Sequence, residues 1–113
     1  MTTSLASRKI ANRATVLTEA LQTDYNTRYG KYGAYEGLNT TFVQSTARKY
    51  IKISMINNQE SVHAFIDKNT GDVYKPASWR GPAKYARFNL LDEASYAECV
   101  ARADWAGGYL YMS

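Results

Sequence analysis

The chain has 113 residues, 45% of them apolar and 21% charged, with a net charge of +4. That length suits one domain, and the composition excludes a disordered chain. The single cysteine and single histidine exclude an intramolecular disulfide and any metal centre built from several cysteines or histidines.

The N-terminal stretch MTTSLASRKIANRATVLTEAL has charges interrupting its apolar residues, unlike a signal peptide. No run approaches the roughly 18 apolar residues of a membrane helix, so an intracellular, reducing compartment and no membrane partner are expected. Ile10, Ala14, Leu17, Leu21 and Tyr25 recur at helical spacing. They predict an amphipathic helix over about residues 6–27, capped by Ser4 or Ser7. Residues 29–45, YGKYGAYEGLNTTFVQS, are punctuated by glycine and read as a long irregular connection.

The period then changes to two. Ile51, Ile53 and Met55 alternate with Tyr50, Lys52 and Ser54, predicting a strand with one dry face. NNQE (57–60) is a turn, and in SVHAFID the residues Val62, Ala64 and Ile66 alternate with His63 and Phe65 in a second strand. DKNTGD predicts a hairpin with Gly71 in the left-handed region. VYK forms the third strand of an antiparallel meander over about 47–77, and Pro76 ends it.

Next comes a connection, then a second helix over about 92–105. Asp92 is its N-cap, Leu91 and Tyr96 form a hydrophobic staple, Ala97, Val100 and Ala101 give the buried side, and Gly107-Gly108 the stop. Cys99 lies among apolar neighbours as a buried, unreactive thiol. YLYMS alternates and predicts a short final strand. The expected fold is α+β: an N-terminal amphipathic helix, a three-stranded antiparallel meander and a second helix near the C-terminus, in a single domain over 1–113.

Most catalytic chemistries lack their residues. A Ser-His-Asp arrangement would have to use His63, which reads as a strand residue with a satisfied hydrogen bond. There is no G-x-S-x-G elbow, and RGPAK lacks the spacing of a phosphate-binding loop. Counted as a calcium loop from Asp67, DKNTGDVYKPAS puts Asp72 sixth and Ser78 twelfth, where glycine and glutamate belong. The acidic residues are scattered among turns and helix ends without a paired-carboxylate pattern. The sequence therefore implies no cofactor, no metal and no enzyme.

What remains is the stretch from Val73 to Leu91. It holds Lys75, Arg80, Lys84 and Arg87 without an acid, interleaved with Tyr74, Trp79, Tyr85 and Phe88. Single-stranded nucleic acid is bound by this pairing, cations tracking phosphates while rings stack on bases. The candidate contact residues are Lys75, Trp79, Arg80, Lys84, Tyr85 and Arg87. YNTRYGKYGAY, in which Tyr25, Tyr29, Tyr32 and Tyr35 bracket Arg28 and Lys31, would extend the same groove. Two plainer readings compete: the rings fill the core while lysine and arginine stems cover them, or a sheet edge or tyrosine patch mediates protein binding or self-association.

The block FIDKNTGDVYKPASWRGPAKYARFNLLD resembles a pattern in small uncharacterised proteins of tailed bacteriophages, marine ones included. The resemblance covers about residues 48–92. It implies a short accessory protein in the cytoplasm of a bacterial host, and it brings no activity, cofactor or site residue with it.

Overall fold

The computed structural model describes residues 4–29, 40–57 and 59–111. Helix α1 (Leu5–Tyr29) precedes strands β1 (Thr41–Thr46), β2 (Tyr50–Ile56), β3 (Glu60–Asp67), β4 (Asp72–Tyr74) and β5 (Phe88–Asn89). Helix α2 (Glu93–Arg102) and a 3₁₀ turn (Gly108–Tyr111) complete the chain. The strands form one antiparallel sheet in the order β1-β2-β3-β4-β5. The α+β architecture is as expected, but the meander has five strands instead of three.

Ser4 begins α1, its Oγ accepting the Ser7 N–H at 3.0 Å. The five residues of the predicted stripe, Ile10, Ala14, Leu17, Leu21 and Tyr25, are all buried in one cluster with Ile51, Ile53, Ala64, Ile66 and Val73 of the sheet and Cys99 of α2. Both helices therefore cover the same face of the sheet. Thr18, also buried, returns its hydroxyl to the Ala14 carbonyl at 2.8 Å, so the stripe buries no unsatisfied donor there. Arg13 fastens the two helices. It donates to the Leu90 carbonyl at 2.8 Å and to both oxygens of Glu93, and its guanidinium lies 4.2 Å from the centre of the Tyr96 ring.

β1 replaces part of the irregular connection expected over 29–45; residues 30–39 lie outside the described residues. Only Phe42 of this strand is buried. A single inward ring gives no alternation to read, and pairing with β2 supplies the order that the pattern lacks.

The dry face of β2 is as predicted: Ile51 and Ile53 are buried in the core and Met55 packs against it. β3 departs from simple alternation. Its pairing steps from Ile53↔Ala64 to Ser54↔Val62, so His63 is the extra residue of a β-bulge. The bulge removes His63 from phase with Phe65 and frees Val62 from the face of Ala64 and Ile66. Beyond β3, Asp67 Oδ1 accepts the N–H groups of Asn69 and Thr70, and Gly71 turns the chain at φ +82°. Gly71 therefore holds the left-handed position that the sequence assigned to it.

Asn89 joins this hairpin to α2. Its Nδ2 donates to the Thr70 carbonyl and the Asp72 carboxylate, while its Oδ1 accepts the N–H groups of Leu91 and Asp92. Asp92 is the N-cap, accepting from the Ser95 N–H at 3.2 Å. The buried side of α2 differs from expectation. Ala97 and Ala101 are exposed, and the inward line runs through Tyr96, Cys99, Val100 and Ala103. Those positions share a helix face by spacing; small alanines on either side gave the sequence no contrast. The helix stops at Arg102, before the glycines, and the tail winds into the 3₁₀ turn instead of a strand. There Asp104 accepts the N–H groups of Gly108 and Tyr109, which burying Tyr109 and Leu110 requires.

Candidate nucleic-acid interface

With both helices on one side, the other face of the sheet carries its own group of rings. Alternation along β2 turns Tyr50 and Lys52 away from the helices. The Tyr50 ring meets Phe65 at 5.7 Å and Tyr74 at 6.3 Å, both edge-on. Phe65 is buried by this layer, apart from the helix-facing core. Over it, the Lys52 ammonium lies 5.7 Å from the Phe65 ring centre and 3.9 Å from that of Trp79. A cation so close to an indole face is attracted by its quadrupole and keeps its charge toward water. Lys49 stands 5.4 Å over Tyr50, at the start of β2.

Trp79 reaches this face on a loop that folds back on itself. Ala77 and Ser78 donate their N–H groups to the Gly81 carbonyl, Pro76 bridges to Pro82, and Ala83 donates to Lys75. Ser78 Oγ accepts the Arg80 N–H at 3.2 Å. Between this loop and the start of β3 lies an open depression of about 320 Å³, lined by Ser61, Val62, Pro76, Ala77, Ser78 and Trp79. Val62 reaches it because of the bulge at His63. Ser54, opposite Val62 in the ladder, has a buried hydroxyl without a hydrogen-bond partner among the described residues; nothing in the structure explains that cost.

The six candidates from the sequence do not form one row. Trp79 is 49% exposed beside Lys52, and Arg80 is exposed, its guanidinium free of hydrogen bonds and ion pairs among the described residues. Lys75 instead covers Tyr111 at 4.4 Å, and Arg87 Nε donates to the Leu110 carbonyl at 2.7 Å, so these two serve the C-terminal turn. Lys84 stands over Tyr85, which is 65% exposed. Phe88, at 6%, belongs to the core. Sequence spacing did not pair Lys52 with Trp79, 27 positions apart and brought together only by the sheet.

The proposed extension through YNTRYGKYGAY is not formed by the residues that are described. Tyr25 is buried with its ring edge-on to Trp105 at 5.5 Å, and Arg28 pairs with Asp24 one helical turn back. The side chain of Tyr29, together with Lys31, Tyr32 and Tyr35, lies outside the described residues.

The two groups considered for catalysis are both buried. His63 Nε2 shares a hydrogen with the Tyr109 hydroxyl at 2.8 Å, and their rings stack at 5.6 Å. Burial lowers the imidazole pKa to about 4, against the opposing pull of the Asp104 carboxylate. Burial pushes the Cys99 thiol up to about 12, so it is not a thiolate at neutral pH. Among the described residues, no three His, Cys, Asp or Glu side chains cluster as metal ligands.

The free edge of the sheet is partly closed from within. Gln22 of α1 donates from Nε2 to the Thr40 carbonyl at 2.9 Å and accepts the Phe42 N–H at 2.8 Å. These are backbone groups that β1 would otherwise offer to another strand. Gln22→Ala is expected to cost about 1–2 kcal/mol, two net hydrogen bonds, and to shift a light-scattering mass upward with concentration. Unchanged denaturation and an unchanged mass would deprive the amide of this role.

A family model described as "Family of unknown function (DUF7717)" matches residues 2–112 of the chain. No curated protein and no solved structure matches it.

Proposed function

Because the chain belongs to DUF7717, a family of unknown function, we propose from its own surface that it is a non-catalytic protein that holds single-stranded nucleic acid on the helix-free face of its sheet. One observation carries this reading: a half-exposed indole, Trp79, with the Lys52 ammonium 3.9 Å from its ring centre and, next along the chain, the Arg80 guanidinium, which has no hydrogen bond or ion pair among the described residues. A strand laid there stacks a base on the indole and sets its phosphates against Lys52, Lys49 and Arg80. Lys84 and Tyr85, exposed on the connection to β5, offer a further cation and ring. The engagement of His63 by Tyr109 and the high pKa of Cys99 favour binding over catalysis. The resemblance to tailed-phage proteins agrees with an accessory role of this kind.

Fluorescence anisotropy of a labelled single-stranded oligonucleotide tests the proposal. Binding is expected at about 50 mM salt and is expected to weaken steeply by about 200 mM, as phosphate-bound counterions are released. Trp79→Ala is expected to weaken it on the order of tenfold, with the fold intact because the ring is half outside. Lys52→Ala is expected to reduce the salt slope. Absence of binding at low salt, or Trp79→Ala and Lys52→Ala both binding like the parent, would reject the reading.

A further inference from the structure

We infer that the depression beside Trp79 is a pocket for one unstacked base, so that the strand is gripped at a defined nucleotide and not merely held along its backbone. The inference rests on the reading above and adds to it. Its grounds are size, lining and rigidity.

The volume, about 320 Å³, falls at the lower end of the roughly 300–1,000 Å³ of small-ligand clefts. Val62, Pro76 and Ala77 give the lining apolar surface suited to a flat heterocycle, and Trp79 contributes the aromatic wall. Ser78 adds the polar group. Its Oγ already accepts the Arg80 N–H, which leaves the hydroxyl hydrogen to donate to a carbonyl on the base. Lys52 beside the ring and Arg80 after it set positive charge at the mouth, where the attached phosphates would emerge. Among the described residues, no acid lines the depression. The loop's backbone bonds from Ala77 and Ser78 to Gly81, and from Ala83 to Lys75, hold this shape before a ligand arrives. Binding then spends little on ordering.

The test compares a short oligothymidylate with the same strand carrying a central run of abasic sites, which keeps the phosphates and removes the bases. Parent protein is expected to bind the intact strand on the order of tenfold more tightly. Ala77→Leu, which fills the depression without touching a charge, is expected to bring the intact strand down to the abasic level. If both strands bind the parent equally and with the same salt dependence, the pocket is rejected together with base stacking on Trp79. If Ala77→Leu keeps the preference for bases, the pocket alone is rejected and the surface reading, with stacking on Trp79, stands. If neither strand binds at low salt, both readings fall together.

Discussion

Acidification from pH 7 to pH 4 is expected to remove about 3 kcal/mol of folding stability through one imidazole. His63 is 8% exposed, packed against Phe42 and Tyr109, and its pKa is lowered from 6.5 to about 4. The cause is desolvation of the charged form; the carboxylate of Asp104 opposes it without prevailing. The unfolded chain therefore takes up a proton more readily than the folded one between these values. Stability is full above pH 6.5, declines as the pH falls through 6.5, and has lost this contribution by about pH 4. Each pKa unit is worth about 1.4 kcal/mol, which gives the magnitude. The neighbouring Tyr109 phenol and Cys99 thiol are both raised, so neither titrates in this window. Urea denaturation at intervals from pH 7 to pH 4 measures the effect. His63→Gln, neutral throughout, serves as the reference. It is expected to be less stable than the parent at pH 7 and to lack this decline. Parallel pH profiles for the two proteins would show that burial of the imidazole costs the fold nothing.

Gly71→Ala is expected to destabilise the protein by about 2–3 kcal/mol, a fall in Tm on the order of 10 °C. Two causes add. The backbone stands at φ +82°, where a Cβ costs roughly 1–2 kcal/mol. That Cβ would also sit 3.2 Å from Leu91 Cγ, 3.2 Å from the Leu91 nitrogen and 3.4 Å from Asn89 Oδ1. Backbone cannot retreat there, because Leu90 donates its N–H to the Gly71 carbonyl at 2.8 Å and Gly71 donates to Asp67 at 2.9 Å. The hairpin, β5 and the capping loop of α2 meet at this residue, so the strain is expected to reach all three. Thermal unfolding followed by circular dichroism reads the change. A Tm within about 2 °C of the parent would mean that the turn relaxes without loss.

The proposed nucleic-acid surface and the residues that carry fold stability are separate in this molecule. Trp79, Arg80 and Ala77 stand on a loop outside the helix-facing core. His63, Tyr109 and Gly71 lie beneath or beside the sheet without touching the depression. Variants of the first set are expected to change binding with little effect on unfolding, and variants of the second set the reverse.

Local chemistry was enough to determine the long helix and its buried stripe, the dry face of β2, the hairpin with Gly71 and the Asp92 cap. Each depends on neighbours within about four residues, so the spacing of side chains records it. Tertiary structure decided the rest. β1 and β5 exist because partners pair with them: one has a single inward ring and the other only two residues. The bulge at His63 follows from how β3 must register against β2, and no composition signals it. The inward side of α2 is set by what the helix meets, since alanine suits either environment. The basic aromatic stretch was legible as a composition but not as a surface. Its members divide among the core, the C-terminal turn and the open face according to contacts between distant parts of the chain. Lys52 and Trp79 illustrate the reason: their 3.9 Å approach depends on strand pairing and loop closure together, and sequence distance carries no trace of either.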